Sequence, residues 1–333
     1  MAVASYHIQG LTVSTQISGI SMTIHSCRVC GHDAGHTEFA AREMMFGTRD
    51  VFSYFRCGDC GTLQITELPE DIARYYGEGY YSFSTVERTP LKKRLIYSRD
   101  QHNLRARRGV AGFFVSMLKP DPTTELIGDL IRDKSSHVLD VGCGSGELLD
   151  RMANAGYTRL AGVDPFIAAD LRTGTGVPIS KKFIHEVTDT YDVVMFNHSL
   201  EHVDDPIASL TEARRVLRPG GRVIVRIPTV SCEAWEQYGT DWVQLDAPRH
   251  FVLLSRDGVA RAASAAGLRL ARTIDDSGEF QFTGSELYRR DIPLSDPRRN
   301  TTFGKMAILK YRMKARALNR QHRGDQAAFI LEA

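Results

Sequence analysis

The sequence predicts an α/β protein, a mostly parallel sheet with helices on both faces, preceded by a small cysteine-bearing module. Three observations carry this expectation. From His137 onward, strand-like and helix-like stretches alternate: HVLDVGCGSG, ELLDRMANAG, RLAGVDP, YDVVMFNHSLEH, PIASLTEARRVLRPGG, RVIVRIPT, SRDGVARAASAAG and LRLARTID. Such alternation builds parallel strands joined by crossover helices. The first strand runs into a glycine-rich turn that opens a helix, and four of the 6 cysteines lie upstream as two CxxCG pairs.

Composition bounds the function. At 333 residues, 42% hydrophobic and 25% charged, the chain has the make-up of a folded protein of about two units. Lys plus Arg at 42 against Asp plus Glu at 40 gives +2, too balanced for a chain whose main work is coating nucleic acid. No apolar run approaches the ~18 residues a membrane helix requires, and MAVASYHIQG lacks the marks of a secretion signal, so a cytoplasmic location is expected.

In chain order, residues 1–21 carry no periodic pattern and read as a disordered extension. Residues 22–86 form a loop-rich module with short β-like runs, Val51 to Phe55 and Leu63 to Ile65. Residues 87–134 have helical spacing (Leu91, Leu95, Ile96; Phe113, Phe114, Met117, Leu118; Leu126, Ile127, Leu130, Ile131), broken by Pro120 and Pro122, and read as a helical connector. Residues 135–333 hold the alternating region and then a basic helical stretch near 303–322. The closing run Ala327 to Leu331 is a candidate last, antiparallel strand of the sheet.

The cysteine pairs are Cys27/Cys30 and Cys57/Cys60, each followed by glycine. Four thiolates match a closed, structural tetrahedral Zn²⁺ site, with free thiols as the competing reading. His25, His32 and His36 crowd the first pair but fall outside a shell that four sulfurs complete. Cys143 and Cys232 read as small packing residues and not nucleophiles.

The turn Asp140-Val141-Gly142-Cys143-Gly144-Ser145-Gly146 has GxGxG spacing, not the GxGxxG of pyrophosphate-binding dehydrogenases. Its glycines bring backbone N–H groups close to a ligand, and Asp140 can accept hydrogen bonds from an amino group. Twenty residues after Gly144, Asp164 ends the next strand, where a carboxylate can take ribose hydroxyls. An amino acid plus a ribose points to S-adenosylmethionine.

DVGCGSG, GVDP, YDVVMFNHSLEHVDDP and LRPGGRVIVRIP together resemble the class I S-adenosylmethionine-dependent methyltransferases over residues 137–275. The resemblance implies a Rossmann-like, seven-stranded, mostly parallel sheet. It implies cofactor contacts from Asp140, Gly142, Cys143, Gly144 and Gly146, from Asp164 and Pro165, and from Asn197, His198 and Ser199 beside the sulfonium. The adenine contact is unassigned, because Val177 to Ile184 lacks the acidic residue many members use.

The CxxC pairs followed by YYGEGYYSF also resemble zinc-containing C-methyltransferases of bacterial deoxysugar pathways. That likeness implies a small-molecule or glycan acceptor, foremost a sugar nucleotide. It implies substrate contacts from Tyr76, Tyr80, Tyr81 and Arg249, and a base at His250, ranked ahead of His198, with a histidine that fixes the loop to the core as the competing reading; Trp242, after the fifth strand, reads equally as a wall against the acceptor or as core packing. Only His250 of that family's base motif carries over into Asp246-Ala247-Pro248-Arg249-His250, so a sugar oxygen stays open as acceptor. His202 is a further competitor, and Glu201 reads as a cap or ion-pair partner. An RNA methyltransferase and a non-enzymatic scaffold are the alternatives from other classes.

Overall fold

The computed structural model describes residues 25–76, 89–105 and 109–333. The expected extension over 1–21 and the candidate contacts Tyr80 and Tyr81 lie outside the described residues.

Two sheets organise the chain. The smaller is antiparallel and built from β1 (Thr37–Arg42), β2 (Val51–Arg56) and β3 (Leu63–Ile65). Three helices follow: α1 (Pro90–Asn103), α2 (Val110–Leu118) and α3 (Pro122–Leu130). The alternating region supplies β4 (His137–Val141), α4 (Glu147–Asn154), β5 (Arg159–Val163), β6 (Leu171–Arg172), β7 (Pro178–Ser180), β8 (Tyr191–Asn197), α5 (Pro206–Arg215), β9 (Leu217–Pro228) and α6 (Glu233–Tyr238). It continues with β10 (Val252–Leu253), α7 (Arg256–Ala265), β11 (Arg269–Asp275), α8 (Phe280–Arg289), α9 (Lys305–Arg320) and β12 (Gln326–Glu332).

The larger sheet has the order β11-β12-β9-β8-β4-β5-β7-β6. Neighbours from β9 across to β7 are parallel. As expected, Ala327 to Leu331 joins antiparallel, but inserted between β9 and β11 and not at the edge. Seven strands are predicted and eight are found among the described residues. The chain before β7 folds back so that Leu171 and Arg172 pair antiparallel with Ile179 and Pro178.

Side-chain alternation along the central strands explains the layering. Val138, Val193 and Met195 face a core shared with Leu149, Met152 and Ile127 from α4 and α3. Their neighbours Leu139, Val194 and Phe196 face the opposite core with Leu210, Ala213, Val259 and Ala262 from α5 and α7. Helix starts are fixed locally: Asp121 and Asp205 accept from Thr124 N and Ala208 N, each ahead of a proline in the first turn.

The small sheet is not confined to residues 22–86. β10 pairs antiparallel with β3, so a segment almost two hundred residues later completes it as β1-β2-β3-β10. Cys27, Cys57 and Cys60 share a buried cluster with Val252, Leu254 and the inner face of the large sheet.

Candidate active site and cysteine cluster

The glycine turn hands β4 over to α4. Gly142, Gly144 and Gly146 all have positive φ (73°, 54° and 77°), the left-handed region that side chains disfavour. Gly142 also has no room for a side chain, since a Cβ there would sit 2.5 Å from Ser199 Cβ. The turn is tied to β5: Gly142 N donates to Val163 O at 2.8 Å, and Gly144 N to Asp164 Oδ2 at 2.9 Å.

Asp140 lies under this turn, 3% exposed, and its Oδ1 is buried without a hydrogen-bond partner. Burial, reinforced by the nearby Asp164 carboxylate, pushes its pKa up to about 8. A sealed carboxylate beside a glycine turn fits a ligand bringing N–H donors and positive charge, as the amino-acid end of S-adenosylmethionine does.

The turn opens on a cleft of about 850 Å³, within the usual range for small-molecule sites. Asp140, Gly142, Cys143 and Gly144 form one wall, Asn197 and His198 lie beside them, and Gln244, Asp246, Phe280 and Thr283 face them. Asn197 Oδ1 accepts from Arg226 Nη1 at 3.1 Å, and Arg226 pairs with Asp276 at 2.6 Å. His198, at φ 55°, holds a backbone conformation uncommon for a non-glycine residue.

Behind His198 stands Glu201, whose Oε1 is 3.3 Å from His198 Nδ1 and whose side chain is 0% exposed. Burial alone would raise its pKa. The hydrogen bond with His198 and the charges of His202, His198 and His250 outweigh that, holding it down at about 2. The arrangement gives a cleft-facing imidazole a carboxylate partner, the pairing of a general base and its orienting group.

Cys27, Cys30, Cys57 and Cys60 bring their sulfurs within 4.8 Å of one another. The Cys27–Cys60 and Cys30–Cys57 sulfur separations are both 3.6 Å. A tetrahedral ion with bonds of ~2.3 Å requires about 3.8 Å, so the four fit Zn²⁺. Gly31 and Gly61, both at φ 72°, close the two turns alike, and Gln64 Nε2 donates to Cys27 Sγ at 3.0 Å. His36 serves the scaffold, accepting from Gly58 N and bonding His25 O.

The family description "Methyltransferase domain" matches residues 118–273. Over 162 residues the chain is 30% identical to the ubiquinone biosynthesis O-methyltransferase of Aeromonas salmonicida, covering 42% of this chain and 68% of that protein. The chain belongs to the S-adenosylmethionine-dependent methyltransferases. Over 142 residues it is also 32% identical to the malonyl-[acyl-carrier protein] O-methyltransferase of Hahella chejuensis, covering 40% of this chain and 50% of that one. It thus spans about half the length of the first curated relatives it matches. A solved S-adenosylmethionine-dependent methyltransferase from Archaeoglobus fulgidus is 17% identical, with a TM-score of 0.41 and coverage of 68% and 100%.

Within this methyltransferase the remaining sequence-predicted residues divide. Asp164 borders the glycine turn without lining the cleft, and its oxygens accept from Gly144 N and Phe166 N. Pro165 follows it outside the cleft wall. Gly146 caps α4, and Ser199 Oγ donates to Val141 O at 2.6 Å. Cys143 lines the cleft, but burial raises its thiol far from reactivity.

Three of the expected contacts are buried. Trp242 is 0% exposed, as core packing would have it, and its Nε1 donates to Asp325 Oδ2 at 3.2 Å. Arg249 is equally sealed, each of its three nitrogens bound to Asp246, Glu43 or the Tyr75 carbonyl. His250 is 3% exposed and absent from the cleft wall, its Nδ1 bonded to Gln244 O at 2.7 Å. Tyr76 is brought near the histidines, its hydroxyl 3.2 Å from His202 Nδ1. Glu43, Gln244 and Thr283 belong to no sequence motif and emerge only from the folded arrangement, and Asp246, met in the sequence only as the start of the segment ending in His250, gains its place on the cleft there too.

Proposed function

We propose that the cleft binds S-adenosylmethionine against the glycine turn and that the enzyme methylates a hydroxyl of a small-molecule acceptor. The carrying observation is the unpartnered, buried Asp140 oxygen beneath that turn. When bound, the cofactor supplies a methyl carbon on a positively charged sulfur. Asp140 holds the amino group, and Asn197 and His198 form the adjoining rim. His198 would take the proton of the acceptor hydroxyl, with Glu201 orienting its ring and stabilising the imidazolium.

Both curated relatives are named as O-methyltransferases, which supports oxygen as acceptor atom. Within the hydroxyl class, a sugar, nucleotide-linked or in a glycan, is the substrate that the sequence resemblance favours. Arg299 on the cleft rim suits an anionic group such as a diphosphate. The four cysteines hold one structural Zn²⁺, supported by their sulfur spacing.

Incubation with labelled S-adenosylmethionine and a panel of sugar nucleotides and phenols, with mass spectrometry locating the label, tests this reading. Label on a sugar hydroxyl is expected. Label on phenols alone replaces the sugar, and calorimetry finding no S-adenosylhomocysteine binding removes the cleft assignment.

A further inference from the structure

Beside the cleft the geometry points to a metal site separate from the cysteines: Glu201, His202 and His250 bind a divalent transition-metal cation of the Zn²⁺ class. One ligand atom from each lies within 4.8 Å of the other two. A short 3-10 turn, Leu200–His202, sets the first two side by side, and Phe251 N donates to Glu201 O at 2.8 Å, fixing His250 alongside.

The protons are placed for ligation. His202 Nδ1 donates to the Arg249 carbonyl at 2.9 Å, and His250 Nδ1 to the Gln244 carbonyl at 2.7 Å. A carbonyl only accepts, so both rings carry a proton on Nδ1 and leave the Nε2 lone pair for a ligand. Metal-binding histidines are held this way, with the second nitrogen bonded to a backbone carbonyl or carboxylate.

The carboxylate supplies an independent sign. Glu201 Oε1 is occupied by His198, but Oε2 is buried with no partner. A sealed carboxylate oxygen without a donor is costly, and a cation shared with two imidazoles satisfies it. Asp246 Oδ2 approaches His250 Nε2 only to 3.9 Å, and Arg249 already binds both Asp246 oxygens. Two imidazoles and one carboxylate select Zn²⁺ or Fe²⁺ over Mg²⁺ or Ca²⁺, and three protein ligands leave a position for water. His202 is only partly buried, which gives an ion its way in. None of this depends on which acceptor the cleft takes.

The test uses the full chain carrying a single equivalent of Zn²⁺, the amount the four cysteines take, followed by titration with Co²⁺. A further equivalent of Co²⁺ is expected, with weak visible d–d absorption, no thiolate charge-transfer band, and loss of the signal in His202→Asn and in the near-isosteric Glu201→Gln. No uptake, uptake showing only thiolate charge transfer, or uptake unchanged in both variants overturns the site. Calorimetry with S-adenosylhomocysteine on the same samples reports the cofactor cleft separately.

Discussion

Asp140 and Glu201 are both sealed from water, yet their surroundings push them in opposite directions. Asp140 meets only burial and another carboxylate and is raised to about 8, whereas Glu201 meets three imidazoles and falls to about 2. Between the ordinary 3.8 and about 8, the cofactor-free fold keeps an Asp140 proton that the unfolded chain has released, so stability falls as pH rises through that window. Urea unfolding across it is expected to show that slope, and Asp140→Asn to flatten it. Binding an ammonium against Asp140 reverses the preference, so S-adenosylhomocysteine should release a proton on binding at neutral pH, measurable by calorimetry in two buffers. Asp140→Asn is expected to weaken binding roughly 10- to 100-fold. For the base, His198→Asn is expected to lower kcat ~10²-fold or more with cofactor affinity nearly unchanged. If His198→Asn keeps its turnover and His250→Asn loses it, the role returns to His250.

At the level of elements, what was legible was what repeats locally. The alternating apolar faces of β4 and β8 and the glycine turn announce themselves in consecutive residues, and the structure builds them where expected. Helix α1 did not follow its apolar spacing: Leu91 and Leu95 are 70% and 40% exposed, while Asp100, Gln101 and Asn103 are buried. The reason is an ion network, Arg151 with Asp100 and Asp121 and Arg99 with the same two acids, which no single stretch of sequence displays. β10 was likewise hidden, since two residues carry no periodicity and their partner β3 is remote in the chain. The shared cluster of Cys27, Cys57, Cys60, Val252 and Leu254 gives a prediction for the zinc assignment. Chelation should raise hydrogen exchange in β2, β3 and β10 together, because thiolate binding energy is part of their folding energy, and leave β4, β5 and β8 protected. Full protection of the small sheet in metal-free protein would sink the assignment.

Across the whole molecule, Arg249 clasps together segments that are far apart in the sequence. Its guanidinium meets Glu43 at 2.9 Å, Asp246 at 2.6 Å and the Tyr75 carbonyl at 3.0 Å, all out of solvent. Glu43 in turn accepts from the backbone N–H groups of Met45, Phe46, Gly47 and Thr48, so the clasp also shapes a loop whose Met45 lines the cleft. Arginine is rarely buried unless paired, so sequence alone favours a cleft-facing role over this one. Removing it leaves the buried Glu43 and the cleft-lining Asp246 without their shared counter-ion, and Arg249→Ala is expected to cost about 3–5 kcal/mol in urea unfolding at neutral pH. Burial pushes the Asp246 carboxyl up and Arg249 more than cancels it, so in the intact protein this pair stabilises above pH 3.8 and the benefit is lost as pH falls below it. In Arg249→Ala the burial of Asp246 is opposed only by the charges of His250 and His202, so much of the pull that keeps it ionised is gone and the variant's deficit should shrink as pH is lowered toward 4. A substrate-binding arginine would behave otherwise: the substitution would raise the acceptor KM and leave the unfolding midpoint where it was, at every pH.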